Sequence, residues 1–472
     1  MNDKKTLLIL LALLLGLFVI LGAVLLISNG SAISGQSGSS QIEVSSSSVT
    51  LINKRPESIK TAAVKTSTQT YTLSRGGDGR LIADGLNGLL QSETALNAAA
   101  SAMAFIQADE KIIDNAENLS IYGFDNVRSF RITFDDGEIF TFEAGGEAPL
   151  GGTYVRVNGE NTVYLIKDGV SGLFPDRESF VEKNLISDPT YTDENTGKIV
   201  VVNAENIVLS GAIRENEIIL SDNPDPDPDS GAFYSSHTIE TYYDMPCDDN
   251  IMSEIMSSLL PFSADTAVFA NPDEDILERY GLNRPRSVIM FEVQGQKHTI
   301  RLGNKNNDSY FCTVDDVPCL FLVNSINVPW AELSEYQLIG DPAFEPKETQ
   351  ISNITFASGS EIDVYALTIG KVGDENSVTA ARLNGKDCPV DNYKNIYYAL
   401  LDALKPVQKG EALYGERRLL TVEYGYFASD KIDVLDFYEA DATTCRLVIN
   451  GQAEVFVSAD RVKSVISLIG IE

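Results

Sequence analysis

YGFDNVRS, residues 122–129, returns as YGLNRPRS at residues 280–287, 158 positions later (280 − 122). Tyr, Gly, Arg and Ser hold the same places in both copies. A second pair follows: LISDPTY at 185–191 and LIGDPAF at 338–344, 153 positions apart (338 − 185). Spacings this similar leave intervening segments of nearly equal length, and self-similarity at a fixed period marks an array of like units. The chain closes on SLIGIE (467–472), where the earlier copies read LISDP and LIGDP. Three modules are therefore expected, at 49–191, 192–345 and 346–472, the last of them diverged.

Each module reads as strands, one helix, then a strand meander. In the first, VKTSTQTYTLSR (64–75) alternates as a half-buried strand does. Ser92 stands as an N-cap before an Ala-rich helical run to Ile106. FRITFDDGEIFTFEAG (130–145) and TYVRVNGENTVYLIKD (153–168) are apolar alternations broken by hairpin signals. The second module repeats the order, with IMSEIMSSLL (251–260) as its helix and a DNPDPDPDSG insertion (222–231) whose prolines forbid ladder pairing. In the third, Tyr393, Ile396, Tyr397, Leu400 and Leu404 share one face at helical spacing. Strands in consecutive runs, rather than alternating with helices, predict α+β modules of mainly antiparallel strands.

The start of the chain differs. Leu7 to Ile27 is 21 residues without a charge, and about 20 apolar residues cross a bilayer core. Lys4 and Lys5 precede it, and no Lys or Arg follows until Lys54. Flanking positive charge stays in the cytoplasm. The expected topology is a cytoplasmic N-terminus (1–6), a single-pass transmembrane anchor (7–27), a Ser/Gly-rich linker (28–48) and an extracytoplasmic body. The net charge of −32 repels nucleic acid and anionic headgroups, so no nucleic-acid partner is expected.

The repeated element supplies the candidate residues Tyr122, Gly123 and Arg128, with Tyr280, Gly281 and Arg286. A Gly at positive φ would turn the chain, the Tyr would bury its ring, and the Arg would meet a carboxylate. These are a ligand clamp or a packing signature, and their retention in both copies favours packing. Cys312 and Cys319 flank a turn and could form a disulfide across it, or remain isolated apolar thiols. Asp188 and Asp341, each before Pro, fit turns. Two histidines, His237 and His298, weigh against a His-based triad or zinc site. GxSxG, GxxxxGK[ST] and GxGxxG do not occur, so no catalytic, cofactor-binding or metal-binding residue is assigned.

On the N-terminal apolar segment, the YGLNRPR element at Tyr280–Arg286 and the strands ending in CLFLV (319–323), the chain resembles a domain-of-unknown-function family of membrane-anchored bacterial proteins. Its members are often encoded beside gliding-motility-type ABC transporters. The resemblance covers most of residues 50–345. Val127 stands where the second copy has Pro285, and the third module lacks the Tyr-Gly-Leu element. What it implies is a non-enzymatic, extracytoplasmic binding or scaffolding protein, accessory to an ABC-type transport system and partnered by permease and auxiliary subunits. The alternative is a cell-envelope enzyme or glycan-binding module acting on wall material.

Overall fold

Val-, Thr- and aromatic-rich runs of alternating polarity favour pleated, half-buried strands, and among the described residues they assemble into three large sheets and three two-stranded ones. The computed structural model describes residues 48–223, 236–242, 245–408, 417–451 and 453–470. The anchor (7–27), the linker up to residue 47 and most of the DNPDPDPDSG insertion lie outside the described residues. Among those described, no helix is long and apolar enough to cross a membrane. The chain divides into Met1–Ser48 and Val49–Glu472, and the architecture below is that of the second unit.

All three large sheets follow one plan. A first meander lies reversed against a second, and the opening strand of each meander makes the central pair. In the first sheet Ile59–Lys65 pairs antiparallel with Arg128–Phe134. In the second Glu205–Ser210 pairs with Ser287–Val293, and in the third Ile351–Ser358 pairs with Arg418–Tyr426. The sheets hold eight, nine and eight strands. In the first two, a strand from between the helix and the second meander returns to the far edge, Glu110–Ile113 beside Val163–Ile166 and Thr266–Ala270 beside Cys319–Asn324. Every strand pairing described is antiparallel, as the clustering of strands predicts.

The helices depart from one per module. The first segment has α1 (Glu93–Ala104), the second α2 (Asp249–Leu259), α3 (Glu274–Arg279) and α4 (Glu335–Leu338), the third α5 (Val390–Ala403) and α6 (Ala459–Ile469). Ser92 caps α1 by accepting from the Ala95 amide, as read. The helix stops at Ala104 because Phe105–Ala108 is taken as a strand by Val49–Asn53. Tyr393, Ile396, Tyr397 and Leu400 form the buried face of α5. Ser467–Ile469 of the terminal SLIG are helical: Ala459, Val462, Val465 and Ile469 bury one face of α6, which Gly470 ends in the left-handed region at φ 72°. The LI pairs thus take different structures, a strand at Asn184–Ile186, and helix ends at Leu338 and at Leu468–Ile469.

One continuous apolar core runs from Ile52 to Ile469 beneath all three sheets, with a satellite of Ala116, Phe124 and Val163. Fully burying one such large side chain is worth about 1.5–3 kcal/mol, so this shared core dominates stability. The segments between sheets belong to it. Asn184–Ile186, which ends the first repeat, pairs with Phe262–Ser263 inside the second.

The cysteines join the core singly. All five described are free thiols. Cys312 stands opposite Phe321, not Cys319, so the two sulfurs belong to diagonal positions. Diagonal neighbours are about 7–8 Å apart, beyond the roughly 7 Å Cα limit for a disulfide. Burial raises the thiols of Cys247 and Cys312, and those of Cys319 to about 12 and Cys445 to about 11, which suppresses the reactive thiolate. A maleimide applied to the native protein is expected to label Cys388 at most, since the other four are buried. Labelling of Cys312 or Cys319 without denaturant would contradict this.

Candidate functional site

The repeated element is a turn docked on a neighbouring strand. In the first copy a short 3-10 turn, Leu119–Tyr122, ends at Gly123 with φ 76°. In the second α3 ends at Tyr280, and Gly281 follows with φ 79°. A side chain here would be strained by its backbone, and it would also collide. A Cβ on Gly281 would lie 2.5 Å from Asn304 Oδ1, and one on Gly123 2.5 Å from the Gly146 amide nitrogen. The Tyr280 carbonyl accepts from the Asn304 amide at 2.8 Å. The strand facing each turn carries its own glycine, Gly145 or Gly303, and a Cβ on either would overlap the carbonyl oxygen of Tyr122 or Tyr280. These partner glycines were missed in the sequence reading. The signal was present, since 303 − 145 is again 158.

The side chains serve the same docking. Tyr122 meets Tyr154 edge-on at 5.1 Å, and Tyr280 meets Phe311 at 4.2 Å. The two arginines diverge. Arg128 lies over the Phe174 ring at 5.3 Å. Arg286 forms a two-pronged pair with Glu332, Nε to Oε1 at 3.0 Å and Nη2 to Oε2 at 2.9 Å. Tyr310 Oη donates to the same carboxylate at 2.5 Å, and Lys305 Nζ lies 3.1 Å from it. In both copies the candidate clamp residues are committed to contacts within their own module.

That convergence on Glu332 has an electrostatic consequence. Hydrogen bonds from Arg286 first, then from Tyr310 and Lys305, hold its carboxyl down to about 2 against an ordinary 4.5. Between those values the unfolded chain binds more protons than the folded one, so stability rises with pH. The contribution is complete above the ordinary carboxylate range and disappears as pH drops toward 2. The side chain is 43% exposed, so solvent and salt screen the pair strongly. Replacing Glu332 by Gln should narrow the gap from wild type as pH falls through this window, and more so at low salt. A gap that stays constant with pH would show that the cluster carries no net stabilisation.

Arg214 is the residue the sequence hid. Half-buried and with no ion pair among the described residues, it donates to Ser210 O at 2.9 Å, Ser287 Oγ at 2.8 Å, Trp330 O at 2.8 Å and Leu333 O at 3.0 Å. Burial pulls its guanidinium below the ordinary value, with Glu335 and Glu332 opposing. The Ser287 it holds is the Ser of the repeated element, so Arg214 ties the motif to two distant segments.

Two clefts lie on the second sheet's module. The larger, about 560 Å3, is walled by Glu254, Ser257 and Ser258 of α2 and by Ser325, Ile326 and Asn327. The smaller, about 320 Å3, is lined by Tyr191, Val200, Asp222, His237 and Met256. At its polar end His237 Nε2 lies 3.2 Å from Asp222 Oδ1 and Nδ1 lies 2.9 Å from Ser236 Oγ. Burial lowers His237 below its ordinary 6.5, against the carboxylates of Asp222 and Asp249. Histidine count weighed against such a grouping, because count is blind to which strands meet. Asp188, by contrast, makes the expected turn, accepting from the Thr190 amide at 2.8 Å.

Residues 87–224 and 238–408 match the model of a family described as Domain of unknown function (DUF4340). The chain belongs to this family. The two matched segments begin 151 residues apart (238 − 87), near the internal repeat spacing. Each DUF4340 segment opens shortly before α1 or α2 and runs into the first strands of the following sheet, so it is out of phase with the sheets themselves. No curated protein and no solved structure matches the chain.

Proposed function

We propose that this DUF4340 protein is a non-enzymatic, extracytoplasmic binding and scaffolding protein, tethered to the cell membrane by residues 7–27. It serves an ABC-type transport system beside the permease and a second, auxiliary subunit. The supporting observation is the stitched body: three sheets of one plan share a single core, and a strand of the first repeat pairs inside the second. Sheets that share a core and a chain of net charge −32 suit holding partners in fixed relation. The candidate clamp residues are already engaged by partners within their own modules, as a packing role requires. Affinity purification of the tagged full chain, extracted in mild detergent, should bring down transporter subunits. Recovery of none would remove the reading's main support.

A second reading, an envelope enzyme or glycan-binding module, draws on the His237, Asp222 and Ser236 contacts in the smaller cleft. Binding or cleavage of purified peptidoglycan by the protein would favour it, with loss of either in Ser236→Ala.

A further inference from the structure

Four Asn-Gly pairs fall among the described residues: Asn87-Gly88, Asn158-Gly159, Asn384-Gly385 and Asn450-Gly451. All four asparagines are exposed, and each follows an apolar residue. Three of them close hairpins with their own backbone in the left-handed region, at φ 54° for Asn158, 50° for Asn384 and 52° for Asn450. Their side chains are held by a neighbouring strand. Asn158 Oδ1 accepts from the Thr141 amide at 3.1 Å. Asn384 Oδ1 accepts from the Val364 amide at 2.9 Å, while its Nδ2 donates to Asp363 Oδ1 at 2.7 Å. Asn450 is gripped in the same way, by the Val434 amide at 2.8 Å and Asp433 Oδ1 at 2.9 Å. Asn87 stands apart. Its backbone carbonyl accepts from Asn271 Nδ2 at 3.4 Å, but no group among the described residues bonds its side-chain amide. The Gly88 amide likewise donates to no backbone acceptor among them. Around Gly88 the space is open, since a Cβ there would meet nothing nearer than Pro318 Cγ at 4.0 Å.

The chemistry needs only covalent neighbours. Hydroxide takes the proton of the Gly88 amide, and that nitrogen adds to the side-chain carbonyl carbon of Asn87. The bond from this carbon to Nδ2 breaks, ammonia leaves with a proton from water, and a five-membered succinimide remains. Water then opens the ring at either carbonyl. Opening at the side-chain carbonyl leaves aspartate; opening at the backbone carbonyl leaves isoaspartate, with the chain running through the former side chain. Glycine favours the step because a residue without Cβ permits close approach to its nitrogen. We propose that Asn87 is a site of spontaneous modification, converting through a succinimide to aspartate and isoaspartate, while hydrogen bonds protect the other three Asn-Gly pairs. Its position gives the change a structural consequence. The Asn87 carbonyl and Gly88 lie against Asn271 and Pro318, and the Asn271 amide donates to Pro318 O at 2.7 Å. An isoaspartate would therefore lengthen the backbone where the first repeat touches the second.

The test ages the full chain at mildly alkaline pH in water labelled with heavy oxygen and maps its peptides by mass spectrometry. Each conversion takes up one solvent oxygen, which separates it from damage before the experiment. A hydrogen bond that must break before attack slows the step by roughly 2–12-fold. Asn87 should therefore convert fastest, Asn158 with one side-chain bond next, and Asn384 and Asn450 with two each slowest. In denaturant the four share the same local chemistry and should convert at similar rates. Asp363→Ala, which frees Asn384 Nδ2, should speed conversion at Asn384 by roughly 2–12-fold and leave Asn87 unchanged. Native Asn87 converting no faster than the other three would overturn the proposal. The same order persisting in denaturant would do so too, as would an Asn384 rate indifferent to Asp363→Ala.

Discussion

Replacing Arg214 by alanine is expected to cost roughly 3–5 kcal/mol, the largest loss from any single polar side chain in the second module. The reason lies in what remains behind. Ser210 O, Trp330 O and Leu333 O would keep their places with no donor, and Ser287 Oγ, in a residue 0% exposed, would lose its charged one. Each buried acceptor left unsatisfied costs about 1–3 kcal/mol, partly relieved by water entering the space the side chain leaves. Lysine should rescue little, because an ammonium cannot reproduce the planar fork that serves acceptors from separate elements. Urea midpoints of wild type, Arg214→Lys and Arg214→Ala would check this. A change below about 1 kcal/mol for alanine, within the range of ordinary surface substitutions, would show that the fork is incidental.

Gly303→Ala is the second large effect, at roughly 2–4 kcal/mol. Gly303 has an ordinary φ, so its requirement is one of space. A methyl group there overlaps the Tyr280 carbonyl, and the turn must lift off the strand, losing the 2.8 Å bond from Asn304. Gly295→Ala separates this from backbone strain, since Gly295 has φ 79° and open space around its missing Cβ. That control should cost about 1–2 kcal/mol, the left-handed penalty alone. Gly145→Ala should behave like Gly303→Ala, because it would meet the Tyr122 carbonyl in the same way. If Gly303→Ala proved no worse than Gly295→Ala, the close approach would not be what holds the motif in place.

How far these features could be read beforehand depended on whether the signal was local. Strand clustering, the Ser92 cap and the buried face of α5 follow from spacing within a few residues, and they stand as read. Short helices escaped, because α3 and α4 have six and four residues, too few turns to show a period. The terminal helix carried its own apolar spacing at Val462, Val465 and Ile469, but similarity of SLIG to the earlier LIGDP drew the reading away from it. Arg214 gave no sign, since in GAIRENE it looks like a solvated charge and two of its four acceptors, Trp330 O and Leu333 O, lie more than a hundred positions further along. The motif itself was legible as a repeat. Whether it clamped a ligand or packed a turn depended on Gly145, Gly303, Phe174 and Glu332, all outside the motif.

The pairing of Asn184–Ile186 with Phe262–Ser263 also orders events in time. A polypeptide delivered N-terminus first presents the first segment 79 residues before its companion arrives (263 − 184). Until then the apolar Ile186, 5% exposed in the finished protein, has no strand to cover it. The opening repeat therefore cannot close on its own account during synthesis, and completion waits on the helix and turn that deliver residue 262. An exposed unpaired strand at that stage invites wrong pairing between neighbouring nascent chains. Agents that slow delivery between residues 187 and 262 should raise aggregation more than the same delay placed after residue 263.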